Sequence, residues 1–154
     1  MKKMALLLTA LTISACSNQP ERQALIHGEQ LDTPQKTAIG FVRLSQNSQY
    51  YVDTSSIWVD SAKNNLINFD TVINLHVGHR IFEDKNLMTK SVRQHKILNC
   101  QTNIMTHTGS HLYSEFWGEG VVFTPQKHRE HQVKPRNGST LGTVAQVMCA
   151  NFYH

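Results

Sequence analysis

Ser139-Thr140-Leu141-Gly142-Thr143-Val144-Ala145-Gln146-Val147-Met148-Cys149-Ala150-Asn151-Phe152 is the stretch whose period decides the fold class. Leu141, Val144, Ala145, Met148, Cys149 and Phe152 recur at i, i+3, i+4, i+7, i+8 and i+11. That spacing is one stripe of an α-helix. Asn137-Gly138 reads as a turn before it, and Ser139 as its N-cap.

The sequence ahead of this helix alternates instead. Residues 66–75 form the clearest strand: Ile67, Phe69, Thr71, Ile73 and Leu75 fall on one face, Asn68, Asp70 and Asn74 on the other, and Val72 breaks the alternation mildly. Residues 88–100 are a long extended run with Val92, Leu98 and Cys100 on one face and Ser91, Arg93, His95 and Asn99 opposite. Residues 39–44, 50–52, 55–59, 104–107, 111–117 and 120–124 read as further short strands. Gly118 and Gly120 beside Trp117 suggest a bulge or sharp bend. Strands with one wet side, followed by one segregated helix, predict an α+β domain on an antiparallel sheet.

At the other end, Met1-Lys2-Lys3-Met4, the apolar run of residues 5–13 and Ser14-Ala15-Cys16 read as a secretory leader over residues 1–15. The run is far short of the ~20 residues that cross a bilayer. Ile13-Ser14-Ala15-Cys16 resembles the bacterial lipobox, which makes Cys16 the expected lipid-bearing first residue of a membrane-anchored chain. Ser17, rather than Asp, at the next position points to the outer membrane. Residues 16–38 are poor in bulky apolar groups and read as the lipidated start and a flexible tether, with the domain spanning 39–154.

The chain has a formal charge of +4. Its fifteen Lys and Arg, less Lys2 and Lys3, leave thirteen against eleven Asp and Glu, a net +2 that gives no argument for nucleic acid. Apart from Cys16 there are two cysteines, Cys100 and Cys149. In an oxidising compartment such a pair reads as a disulfide. Cys149 on the helix stripe and Cys100 at a strand end would then clamp the helix to the sheet. A metal pair or a catalytic thiol is the competing reading, though neither cysteine has a Cys or His partner at ligand spacing.

Several words of the sequence resemble one family. Tyr50-Tyr51-Val52-Asp53, Ser56-Ile57-Trp58-Val59-Asp60, Lys90-Ser91-Val92-Arg93-Gln94, Lys96-Ile97-Leu98-Asn99-Cys100, Glu115-Phe116-Trp117-Gly118 and Cys149-Ala150-Asn151 run in register with the surface-adhesin protein E family, small outer-membrane lipoproteins of Haemophilus and its relatives. The resemblance implies a curved antiparallel sheet of about six strands, a C-terminal helix held on it by a disulfide, and a homodimer. It also implies adhesion: binding of vitronectin, laminin and plasminogen, and contact with epithelial cells.

By the same resemblance, residues 85–109 are the epithelial and vitronectin contact and residues 41–70 the laminin contact. Lys85, Lys90, Arg93, His95 and Lys96 are the expected host-binding residues. Parity puts Arg93 and His95 on the wet face of the strand and Lys90 and Lys96 on the other, unless a bulge resets it. Reversing Arg93 together with Lys96 is then expected to weaken binding without unfolding the domain. Lys127, Arg129, Lys134 and Arg136 make a second basic stretch, read as a loop. Here the chain departs from the family's lysine-rich loop by placing His128, Glu130 and His131 among the cations, so that positive charge rises when the histidines protonate. His95 is a second departure, standing where the family has an aromatic tyrosine.

Nine histidines raise metal and haem readings. His76/His79 and His128/His131 are three apart, which on a strand sends them to opposite faces. His107 and His111 share parity, with Gly109 between them. A haem- or small-ligand-binding lipoprotein is therefore the alternative function, although no cofactor or metal is expected. Glu115 and Glu119 flank Trp117 without a nucleophile motif, a phosphate loop or a zinc signature, so an enzyme is not expected. An envelope-structural lipoprotein facing the periplasm is a third reading.

Overall fold

The computed structural model describes residues 28–60, 65–126 and 130–153. The expected leader, the lipidation site Cys16, and Lys127 and Arg129 of the second basic stretch lie outside the described residues. The elements, in chain order, are β1 (Glu29–Gln30), β2 (Phe41–Arg43), β3 (Tyr50–Val59), β4 (Leu66–Asn74), β5 (Val77–Gly78), β6 (Ser91–Asn99), β7 (Ile104–Tyr113), a 3-10 turn (Phe116–Gly118), β8 (Val122–Phe123), β9 (His131–Val133) and α1 (Thr140–Phe152).

The main sheet has seven strands in the order β2-β3-β4-β6-β7-β8, with β9 also on β7, and every pairing is antiparallel. The seventh strand, beyond the six or so expected, comes from the basic stretch read as a loop. His131–Val133 extends the sheet by pairing with Met105, Thr106 and His107. Residues 50–52 and 55–59, read as two strands, are one strand, β3, with an irregularity between Asp53 and Trp58. Residues 104–107 and 111–117, also read as two strands, divide differently: Ile104–Tyr113 is one strand, β7, kinked where its pairing shifts opposite His95 and Lys96, and Phe116–Gly118 is the 3-10 turn.

The two faces differ in what covers them. On one, Val52, Ile67, Phe69, Leu98 and Met105 form the core with Ala145 and Met148 of α1, while Leu141, Val144 and Cys149 pack partly buried around it. The helix therefore forms where the stripe predicted it. Ser139 caps it by accepting a bond from the Gly142 N–H at 3.1 Å. The expected disulfide is present: Cys100, just past β6, is bonded to Cys149 in the last turns of α1, with Sγ–Sγ 2.05 Å. Phe152 departs from the expected stripe. It is exposed at the end of the helix.

The other face is not simply wet. The 3-10 turn folds back across it and lays Trp117 against Phe41 and Tyr51, at ring-centre distances of 5.0 and 4.7 Å. Tyr51 and Val72 lie fully buried beneath this aromatic cover. Val72, the residue that broke the alternation, is thus apolar because part of the second face is also core. The expected tether also ends early. Glu29 and Gln30 pair with Gly78 and Val77, Leu31 is buried, and its N–H donates to the His76 carbonyl at 2.9 Å. The chain is therefore tied to the domain from residue 29 rather than from 39.

Candidate functional site

Strand β6 carries most of the expected contact residues, and its alternation distributes them. Arg93 and His95 point to the face away from α1, whereas Gln94 and Lys96 point to the helix-side face. Asp53 of β3 and Asp70 of β4 stand directly opposite each other on the same face as Arg93. The Arg93 guanidinium closes on both. Its Nη1 donates to Asp53 Oδ2 at 2.7 Å and to Asp70 Oδ2 at 3.0 Å, and its Nη2 donates to the Trp117 carbonyl at 3.3 Å. His95 Nδ1 lies 2.9 Å from Asp70 Oδ1, and its Nε2 lies 3.3 Å from Asn68 Oδ1. Arg93 is thus the centre of an ion-pair network spanning three strands rather than a free cation on a wet face.

The titration of these groups follows from the contacts. Burial pushes the Asp53 carboxyl up, but hydrogen bonds from Ser55 and Arg93, together with the Arg93 charge, outweigh it and hold the pKa below the usual 3.8. Burial also works against the Arg93 charge, and the two aspartates more than restore it.

The turn above the network is held by its backbone. Trp117 N–H donates to Asn74 Oδ1 and Gly118 N–H to Ser91 Oγ, both at 2.9 Å, and Ser91 Oγ donates to the Glu115 carbonyl at 2.6 Å. Trp117 adopts φ +68°, a conformation uncommon for a large side chain. Gly118 follows at φ +74°, and a Cβ there would lie 2.7 Å from Arg93 Nε. The bend expected at Gly118 is therefore required by the turn and by the arginine beneath it.

The remaining candidates separate. Lys90 Nζ pairs with Glu115 Oε2 at 2.8 Å and lies over the Phe116 ring. Lys96 is only 8% exposed, and its Nζ reaches neutral partners, Gln94 Oε1 at 3.1 Å and His107 Nδ1 at 3.4 Å. Burial lowers its pKa from 10.5. Lys85 is exposed on a loop, donating to the Phe82 carbonyl at 3.3 Å. Lys134 and Arg136 are exposed near β9 and α1. The five residues of the 85–96 group are therefore not one patch: they occupy a loop, a strand start and two opposite faces.

The histidine pair expected to share a side does not. His107 stands opposite Lys96 and His111 opposite Arg93, so the kink in β7 sends them to opposite faces. Among the described residues no group of three or more His, Cys, Asp or Glu side chains is placed to hold a metal, and no helix is long and apolar enough to cross a membrane.

One feature had no signal in the sequence. A cleft of about 450 Å³ opens between α1 and the β2–β3 edge, lined chiefly by Val42, Leu44, Val52, Val144, Val147 and Phe152. β2, three residues long, forms part of its wall through Val42 and Arg43. No local pattern encodes such a space between distant elements.

A seven-stranded antiparallel sheet that seats a disulfide-fastened helix on one face and ties its charges together on the other defines a small α+β domain. Comparison with known proteins identifies its family. The family model described as Surface-adhesin protein E matches residues 41–150. The chain is 37% identical over 152 residues to the surface-adhesin protein E of Haemophilus influenzae strain NTHi 3655, covering 99% of this chain and 94% of that one. Two solved structures of H. influenzae protein E are each 37% identical and superpose with TM-scores of 0.75 and 0.76. They cover 81% of this chain, and 95% and 85% of theirs. The chain belongs to the surface-adhesin protein E family.

Proposed function

We propose that the protein is a lipid-anchored outer-membrane adhesin that binds host vitronectin, laminin and plasminogen and attaches to epithelial cells, working as a homodimer. Its similarity to surface adhesins along nearly the full length of both chains carries this reading. Lipobox-like residues ending at Cys16 support the anchor. Exposed Lys85, Lys134 and Arg136 supply the cations that steer an acidic partner, and Lys127 and Arg129 extend that basic stretch. Arg93 and Lys96 contribute differently, because the first is tied into the fold and the second is buried. The haem alternative finds no support in His107 and His111, which diverge across the sheet.

The test is expression of the full chain in an outer membrane, followed by protease shaving of whole cells and adhesion to epithelial monolayers and laminin-coated wells. Removal of the domain by protease, with loss of adhesion, is the expected result. A domain that survives shaving on cells that do not adhere would overturn the proposal in favour of an inward-facing envelope protein.

A further inference from the structure

β2 stands first in the strand order and pairs with β3 on one side only. The Leu44 N–H donates to the Tyr50 carbonyl at 2.9 Å, and the Thr54 N–H to the Gly40 carbonyl at 2.8 Å. These bonds bracket the Val42–Val52 pair, so in the antiparallel ladder Val42 is the residue that exchanges bonds with β3. The N–H and C=O of Arg43, and the C=O of Phe41, therefore point away from β3, along the outer edge of the sheet.

The same edge borders the cleft beside α1. Val42 and Leu44, two apart on β2, both line it, so it follows the strand. On α1 its lining runs from Thr140 to Phe152. That is about 18 Å at ~1.5 Å per residue, the reach of about five extended residues. Val42, Val147 and Phe152 are 54%, 56% and 44% exposed, so the apolar walls stand open to water. The helix wall is also uncharged, since residues 140–152 contain no Asp, Glu, Lys or Arg. Arg43 turns its guanidinium to the other face, where Nη2 donates to the Tyr51 hydroxyl at 3.0 Å and the group lies over the Tyr51 ring. A charged side chain entering the cleft would lose hydration without compensation, whereas an apolar one gains by leaving water.

We propose that the β2 edge and the adjoining cleft form a docking site for an extended segment of a host surface protein. The segment adds as a further strand beside β2 and places alternate apolar side chains in the cleft. Arg43 and Phe41 supply ladder bonds that are indifferent to side-chain identity, and the cleft selects apolar groups at every second residue. With β2 only three residues long those bonds are few, so the side chains received by Val42, Val147 and Phe152 carry much of the affinity. The Cys100–Cys149 bond fixes the far end of the helix wall, so the segment meets a site already in place. The inference rests on the adhesin reading for the source of the segment.

The experiment uses the intact protein and a synthetic peptide alternating Val with Thr, followed by fluorescence anisotropy. Two further peptides carry backbone N-methyl groups, one on its Val residues and the other on its Thr residues. N–H groups of alternate residues share one edge of a strand, so one methylated peptide loses its β2-facing donors and the other its outward-facing ones. The unmodified peptide is expected to bind, one methylated peptide to bind at least about tenfold more weakly, and the other within about threefold. Val147→Asp should weaken binding by about tenfold or more, and Val121→Ser, at an exposed apolar residue beside β8, should leave it within about threefold. Thermal melting verifies that both variants fold. Cells displaying Val147→Asp should lose adhesion to epithelial monolayers.

Equal loss with both methylated peptides, equal retention by both, or no binding of the unmodified peptide overturns strand addition. Adhesion undiminished by Val147→Asp, when peptide binding is lost, overturns the host segment as occupant. A shift from dimer to monomer on Val147→Asp also overturns it, by making the edge an interface between copies of the chain. Binding of laurate without binding of the peptide assigns the cleft to a small apolar ligand instead. If wild-type cells do not adhere but the protein still discriminates the two methylated peptides, the adhesin reading fails and the strand-addition site stands.

Discussion

Arg93 Nη1 lies 2.7 Å from Asp53 Oδ2, joining a cation on β6 to a carboxylate on β3 across the intervening strand β4. The Asp53 side chain is 8% exposed and that of Arg93 21%, so the pair is largely withdrawn from water. Its members are therefore structural partners before they can be contacts for anything else.

Arg93→Met should accordingly destabilise the domain by about 2–3 kcal/mol, because it strands Asp53 and Asp70 beside each other without a cation. Urea unfolding followed by circular dichroism measures it. Reversal to Glu should cost more, so the sequence-level expectation that reversing Arg93 together with Lys96 spares the fold is replaced by its opposite. A midpoint for Arg93→Met equal to wild type would show the network to be energetically idle.

Asp53 gives the network a pH signature. Its folded pKa is depressed below 3.8, so the folded state favours the ionised form. The stabilisation is present above the unfolded pKa and is lost as pH falls through the folded one. Stability measured from pH 6 downwards should begin to fall near pH 4, and Asp53→Asn should flatten that limb while lowering the plateau. An unchanged acid limb in the variant would assign the loss to other carboxylates.

Lys96 should behave in the reverse way. Its folded pKa is lowered by burial, so the charged form is penalised in the fold, and this penalty is relieved as pH rises through the folded pKa towards 10.5. At neutral pH, Lys96→Met is expected to raise stability by about 1 kcal/mol, since a hydrophobe of similar length replaces an uncompensated charge. Differential scanning calorimetry reads this as a higher Tm. A lower Tm would mean that the bonds to Gln94 and His107 outweigh desolvation.

Removing the disulfide by a Cys100→Ala, Cys149→Ala double substitution should cost roughly 4 kcal/mol by the chain-entropy model for a sequence separation of 49. The helix should also loosen first, so limited proteolysis should cut within residues 134–153 before it cuts the sheet. Simultaneous cutting of both would show that the helix is held by its apolar stripe alone.

The helix, its cap and its cysteine were readable because each is a local pattern: a stripe, a serine before it and a thiol upon it. The Arg93 network was not, since it depends on the register of three strands, which no single strand reveals. Val72 was its only trace, an apolar residue out of step because Trp117 returns to cover it. The division of His107 from His111 was hidden for a similar reason. A kink in β7 resets parity within one strand, and the intervening Gly109 hinted at an interruption without showing on which side the chain would resume. The early end of the tether at Glu29 rests on a two-residue pairing too short to leave a pattern.

That kink has an evolutionary consequence. With an unbroken alternation, every histidine of β7 would face the same neighbours, and a change selected on one side would be constrained by the other. The shifted register uncouples them: His111 stands beside Arg93 on one face, His107 beside Lys96 on the other. A substitution at either histidine is thus felt on one face of the sheet only.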